Sequence, residues 1–122
     1  MEIEKLEGFE KIYQVDCFKK EFEQVTSETK TNGRYHKWIR KKLSILESLG
    51  TNALKLEEFE KLSDTSPNLY SIRYPHSKKN PRVIYIYVEQ GMVYLLHAFK
   101  EKNDSDYKNA INIAQKRAKL FI

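Results

Sequence analysis

The pattern of apolar residues changes near residue 68, and this change constrains the fold more than any other feature. Before it, apolar residues recur at spacings of three and four, as on one face of a helix. After it, apolar and polar residues alternate in LYSIRY, PRVIYIYV and MVYLLHAF, and the turn VEQGMV contains a glycine. Alternation is typical of strands, so these segments predict an antiparallel meander.

Two helices are predicted before this sheet. Asp16 is placed to cap the first, which carries Phe18 and Phe22 on one face, and residues 11–15 just ahead of it predict a strand. The second is predicted over residues 34–49, because apolar residues recur there at helical spacing and Gly50 supplies a stop.

One helix is predicted after the sheet. Asp104 or Ser105 is expected to cap it. Its predicted buried stripe is Tyr107, Ile111, Ala114, Ala118 and Phe121. The order of helices, meander and helix predicts an α+β fold, with an antiparallel sheet packed by two N-terminal helices and a C-terminal helix.

Length and composition favour one folded domain over residues 1–122. Aromatic residues make up 12% of the chain, too many for a disordered segment. The lone cysteine, Cys17, cannot form an internal disulfide, and the N-terminus does not resemble a signal peptide, so we expect a cytoplasmic protein. The three histidines are scattered without zinc spacing, so we expect neither a metal site nor a cofactor.

The net charge of +5 is unevenly distributed. Residues 31–50 hold five basic side chains and one acidic, and residues 69–122 hold ten basic and four acidic. This concentration predicts a polyanionic partner, most often nucleic acid, although a solvated basic surface is the alternative.

Two arginines lie near facing ends of consecutive predicted strands, Arg73 and Arg82, separated by the basic loop PHSKKNP. With Lys100 and Lys102 they form a candidate phosphate site, because guanidinium binds phosphate oxygens in a fork. The alternative is that carboxylates such as Glu101 pair with these arginines.

Three further residues have a chemical and a structural interpretation. Asp106 at the start of the last helix is either a carboxylate that the helix dipole stabilises or a group that accepts a proton. Tyr107 either packs on the buried stripe or offers a hydroxyl whose pKa, ordinarily about 10, neighbouring cations would have to lower. His97 is more typical of a hydrogen-bonded sheet residue than of a general base.

The tyrosines of the chain could stack nucleic-acid bases, although alternating tyrosines more often pack within a sheet.

The run from LYSIRY through PRVIYIY, the glycine turn and LLHAFKEK to a basic final helix resembles the RelE/HigB superfamily of bacterial type II toxins, especially its HigB-like, phage Gp49-like branch. The resemblance extends from residue 69 to 121 and is weaker before. It implies a compact RelE-like fold and a toxin that cuts messenger RNA in the ribosomal A site, by attack of a ribose 2′-hydroxyl without metal.

The resemblance also implies roles for individual residues. The candidate catalytic residues are Arg73, Arg82, Lys102, Asp106 and Tyr107. The candidate RNA-binding residues are His76, Lys78, Lys79, His97 and Lys100. Two departures from the family reduce the local charge, because Ser71 stands where RelE has a lysine and Glu101 replaces the first lysine of the usual pair.

The implied partners are the ribosome, its mRNA and a cognate HigA-like antitoxin with a helix-turn-helix domain. Operator DNA would be bound only through that antitoxin, and no membrane is implied. Two other functions remain open: a ParE-like toxin that inhibits DNA gyrase without hydrolysis, and a nontoxic RNA-binding phage accessory domain.

Overall fold

A computed structural model describes residues 1–27, 32–74 and 80–122. The elements in chain order are β1 (Ile3–Lys5), β2 (Ile12–Val15), α1 (Phe18–Thr26), α2 (Asn32–Leu49), a 3-10 helix (Gly50–Lys55), β3 (Phe59–Lys61), β4 (Tyr70–Arg73), β5 (Asn80–Tyr87), a 3-10 turn (Glu89–Gly91), β6 (Val93–Glu101) and α3 (Asp104–Ala118). The predicted α+β class is confirmed.

The six strands of the described ranges form one sheet in the order β1-β2-β6-β5-β4-β3. Strands β3 to β6 form an antiparallel meander, of which the last three strands were predicted. Strand β2, by contrast, runs parallel to β6, and β1 pairs antiparallel with β2. The N-terminal strands therefore cover the edge of β6, where unpaired backbone groups would otherwise invite association.

Helix α2 confirms the second predicted helix and begins two residues earlier than expected. Its buried residues Tyr35, Ile39, Leu43 and Leu46 recur at spacings of four and three, so one face of the helix enters the core. The helix ends at Gly50, whose φ of +57° lies in the left-handed region that glycine adopts without steric cost.

The two predicted helix caps are wrong. Helix α1 begins after Cys17, and the Asp16 carboxylate instead accepts a hydrogen bond from the Glu2 backbone N–H at 3.3 Å. Helix α3 is capped by Asn103, whose Oδ1 accepts from the Asp106 backbone N–H at 3.0 Å. Asn103 has extended backbone and Asp104 is already helical, which is why the cap lies one residue earlier than expected.

The tyrosines that could have stacked bases pack on other aromatic rings. Tyr35 contacts Tyr74 edge-on, Tyr85 contacts Tyr87 edge-on, and Tyr13 contacts Tyr94, with ring centroids 5.0 to 5.6 Å apart. These contacts support the packing interpretation of the alternating tyrosines.

Candidate active site

The strand register brings polar side chains together on one face of the sheet. Glu60 of β3 lies opposite Ser71 of β4, and Arg73 of β4 lies opposite Arg82 of β5. Residues directly opposite in a ladder share a face, as do residues two apart in one strand, so all four point to the same side. Three strands therefore contribute to one polar cluster on this face of the sheet.

Arg82 lies at the centre of this cluster and is only 7% exposed. Its Nη1 donates to Oε1 of Glu60 at 2.6 Å, and its guanidinium carbon lies 4.9 Å from the centroid of the Tyr107 ring. Its Nε lies 2.5 Å from Oε2 of Glu101, but the N–H is not directed at that oxygen, so the contact is an ion pair without a hydrogen bond. The arginine thus lies between two carboxylates and an aromatic face.

Glu60 is the hub of the hydrogen bonds in the cluster. Its Oε1 accepts from Arg82, from the Ser71 hydroxyl at 3.1 Å and from the Tyr107 hydroxyl at 3.1 Å. Partial burial acts to raise its pKa, but the hydrogen bonds from Arg82 and Tyr107 outweigh burial and lower the pKa below 4.5. Glu60 is therefore an ionised acceptor at neutral pH.

Tyr107 approaches the cluster from the first turns of α3. Its ring packs edge-on against Phe99, the residue opposite Arg82 in the ladder. Burial and the charge of Glu60 raise the pKa of Tyr107 to about 12, although Arg82 acts to lower it. The chemical interpretation of Tyr107 required neighbouring cations to lower this pKa, and the requirement is not met, because burial and the carboxylate outweigh the guanidinium. The phenol stays protonated at neutral pH, so it can donate its proton to Glu60 while its oxygen accepts from Nη1 of Arg82 at 3.4 Å.

In the described ranges, the other candidate catalytic residues take no part in the hydrogen bonds among Arg82, Glu60 and Tyr107. Nη2 of Arg73 lies 3.9 Å from Oε1 of Glu57, and Arg73 is partly exposed. Asp106 accepts the Lys102 backbone N–H at 3.1 Å and so closes the turn between β6 and α3, while the Lys102 side chain is exposed. Lys100 follows Phe99 directly in β6, so its side chain points to the face opposite Arg82.

His97 belongs to a second polar cluster that joins three elements. Its Nδ1 lies 3.0 Å from Oε1 of Glu21 in α1, and Arg117 of α3 donates to both oxygens of Glu21 at 2.7 and 2.8 Å. Burial acts to raise the pKa of Glu21, but the bonds from His97 and Arg117 lower it to about 2. Because His97 is 8% exposed and engaged here, its position favours a structural role over direct contact with RNA.

Three candidate RNA-binding residues, His76, Lys78 and Lys79, lie outside the described residues. Sequence reasoning missed Glu60, which belongs to a strand of three residues, too short to show alternation. It did identify Glu101 as a possible partner of the arginines, and Glu101 does pair with Arg82. In the described ranges, no group of three His, Cys, Asp or Glu side chains could hold a metal ion, and no helix there is long and apolar enough to cross a membrane.

The cluster combines three groups that can transfer protons and stabilise negative charge. A guanidinium can stabilise added negative charge on phosphorus, an ionised carboxylate can accept a proton, and a protonated phenol can donate one. In Arg82, Glu60 and Tyr107 these groups lie within 3.4 Å of one another. Glu60 and Glu101 are both partly exposed, so their side chains can yield to an entering phosphate.

Comparison with protein families gives a match to the model described as Phage derived protein Gp49-like (DUF891), over residues 30–119. The matched range contains α2, strands β3 to β6, and all the residues of the Arg82 cluster. No curated protein and no solved structure gives a significant match.

Proposed function

This chain belongs to the Gp49-like family of phage-derived proteins, which is toxin-like and related to RelE and HigB, and we propose that it is a toxin that cuts messenger RNA on the ribosome. The observation that carries the proposal is the mutual contact of Arg82, Glu60 and Tyr107. The residues provide a charge stabiliser, a base and an acid in one place.

In the proposed reaction the ribose 2′-oxygen attacks the neighbouring phosphorus. Glu60 takes the proton of the 2′-hydroxyl, and Tyr107 gives its proton to the 5′-oxygen as the bond from that oxygen to phosphorus breaks. The products are a 2′,3′-cyclic phosphate and a 5′-hydroxyl. The hydrogen bond of 3.1 Å between Tyr107 and Glu60 then returns the proton and restores both groups.

Arg82 stabilises the charge of the pentacoordinate phosphorus, a contribution of about 3 kcal/mol for one preorganised donor. A guanidinium has five N–H donors in a fork, so a bond from Nη1 to Glu60 leaves others that can turn to a phosphate. Arg73 and Lys102, which are nearer to solvent, attract and position the message. Asp106 positions Tyr107 by holding the turn that starts α3.

The proposed partners are the ribosomal A site with its message and an antitoxin with a helix-turn-helix domain. The net charge of +5 supports an RNA-rich target, and Lys100 and the basic loop containing His76, Lys78 and Lys79 are proposed contacts. The antitoxin would cover the basic surface, and operator DNA would be reached only through it.

One observation favours a second candidate function, a ParE-like toxin that binds DNA gyrase and cuts nothing. Arg82 already lies between Glu60 and Glu101, so the charge available to a phosphate at the cluster is reduced. Such a toxin would arrest growth with intact messages and with a DNA-damage response.

Primer extension on a translated message after induction of the chain separates these functions. The informative variant is Tyr107→Phe, because it removes the hydroxyl and retains the ring that packs on Phe99. Tyr94→Phe is the matched control, since Tyr94 packs against Phe121 away from the cluster. We expect cuts within codons for the unaltered chain and Tyr94→Phe, and none for Tyr107→Phe. Growth arrest by Tyr107→Phe with intact mRNA would support the binding toxin.

A further inference from the structure

An open groove beside α2 is lined almost wholly by cations and aromatic rings. Its volume is about 370 Å³. Four of its seven lining residues are lysine or arginine, and the other three are Trp38, Tyr74 and Glu58. The Glu58 carboxylate lies 3.6 Å from Nζ of Lys42, the fourth cation. Arg34, Lys37 and Lys41 are separated by three and four residues, so they form a row on one face of the helix.

The cations of this row differ from the arginines of the two polar clusters in having no counter-charge. Arg82 is paired with Glu60, and Arg117 with Glu21. Among the described residues, no carboxylate lies within 4 Å of the charged groups of Arg34, Lys37 or Lys41, and all three side chains are exposed. Glu58 in the groove wall pairs with Lys42, so the positive charge of the other three cations remains available to a ligand.

Trp38 forms the accessible aromatic part of the groove, whereas Tyr74 is buried. The two rings meet edge-on with centroids 5.1 Å apart, and Trp38 remains partly exposed. Its buried indole N–H has no acceptor in the described ranges, which is unusual because buried donors in folded proteins are nearly always paired. Aromatic rings beside a row of cations are typical of surfaces that bind single-stranded nucleic acids.

We propose that this groove binds the phosphate backbone of a single-stranded nucleic acid, at a site separate from the Arg82 cluster. The row from Arg34 to Lys41 spans about 10 Å of helix axis, enough to meet roughly three phosphates of a stacked strand. Tyr74 directly follows Arg73 in extended chain, so it points to the sheet face opposite Arg82. The partly exposed ring of Trp38 favours nucleic acid over an acidic peptide, which would contact only the charges. Binding of a nucleic acid in this groove does not require the cleavage proposed for the Arg82 cluster.

The single tryptophan of the chain makes the groove directly observable, since all intrinsic tryptophan fluorescence comes from Trp38. The probes are a 2′-O-methyl RNA and a DNA of the same sequence, about 12 nucleotides long. Neither has a free 2′-hydroxyl, so neither can be cut by the proposed chemistry. Titration should change the fluorescence in parallel with the anisotropy of a labelled probe. Tighter binding of the RNA analogue would identify RNA as the ligand, and tighter binding of DNA would identify DNA.

The test compares two triple variants of equal charge. The first is Arg34→Gln with Lys37→Gln and Lys41→Gln. The control is Lys108→Gln with Lys116→Gln and Lys119→Gln, three exposed cations in or next to α3. The first should weaken binding roughly tenfold near physiological salt and reduce the slope of log affinity against log salt by about 2, whereas the control should not.

Three results would overturn the proposal: no binding of either probe, equal weakening by both triple variants, or equally tight binding of a glutamate-rich peptide of the same charge. Its failure is distinguishable from failure of the nuclease proposal. If the chain binds the uncuttable probe but leaves mRNA intact, the groove proposal stands and only the nuclease proposal fails.

Discussion

Nη1 of Arg82 and Oε1 of Glu60 lie 2.6 Å apart, and the same Glu60 oxygen accepts the hydroxyl of Tyr107. This arrangement couples the only strongly buried arginine of the described residues to an ionised carboxylate and to a phenol that stays protonated. Each of the three groups therefore affects the protonation and the position of the other two. We expect their contributions to catalysis to be non-additive.

Glu60→Gln should abolish most cleavage, because the amide cannot accept the 2′-hydroxyl proton. Loss of a general base typically lowers the rate by about 10²- to 10⁴-fold. The measurement is the cleavage rate on translating ribosomes with excess toxin. Glu57→Gln is the control, because Glu57 is exposed and lies only beside Arg73 at 3.9 Å. Equal activity of Glu60→Gln and Glu57→Gln would exclude Glu60 as the base.

Glu101→Gln should increase activity, because it removes a negative charge that pairs with Arg82 and would repel a phosphate bound there. Repulsion of about 1 kcal/mol between charges 4 Å apart in water corresponds to roughly fivefold in rate at low substrate concentration. The rate should be compared with that of Glu89→Gln, an exposed carboxylate in the turn before β6. A fall in activity would show that Glu101 holds Arg82 in place rather than competing with the substrate.

Acid should destabilise the protein through Glu21. Its pKa is depressed from 4.5 to about 2 in the folded protein, so its contribution to stability is complete above 4.5 and is lost as pH falls toward about 2. Thermal melting over this pH range should show a steep fall that is smaller in Glu21→Gln. Glu23→Gln, which alters an exposed carboxylate of the same helix, should retain the fall. The same fall in Glu21→Gln would contradict the assignment.

Asn103→Ala should reduce the free energy of unfolding by about 1 kcal/mol, because it removes the cap of α3. Denaturant unfolding measures the change directly. Asn109→Ala, within the same helix and exposed, should not reduce stability, because alanine has the higher helix propensity. Equal loss in both variants would mean that the Asn103 hydrogen bond contributes nothing.

The long periodic elements could be predicted from the sequence, because the spacing of their buried apolar residues repeats over many positions. Helix α2 and strands β4, β5 and β6 follow their apolar patterns, with ends that differ by two residues or fewer. The three-residue strands β1 and β3 could not, because three residues do not establish a period and both carry charged residues. The parallel pairing of β2 with β6 joins residues about 80 apart, and no local signal encodes it.

The site was predictable only in part, because contacts between residues far apart in the chain leave no local signal in the sequence. Arg82 and Tyr107 were identified from strand position and family resemblance, but their partner Glu60 reaches them through tertiary packing. One interpretation of Tyr107 required a lowered pKa, whereas burial and a carboxylate that was not identified from the sequence raise it. Ser71, noted only as a missing lysine, donates a hydrogen bond to that carboxylate.

The chemical identity of the RNA ends tests the central claim most directly. Messages recovered from ribosomes after induction of the chain should carry a 2′,3′-cyclic phosphate, or the 3′-phosphate formed from it, on one fragment and a 5′-hydroxyl on the other. Those ends require attack by the ribose 2′-oxygen, the step assigned to Glu60, Arg82 and Tyr107. Fragments with a 3′-hydroxyl and a 5′-phosphate, or messages that stay intact in arrested cells, would contradict the account.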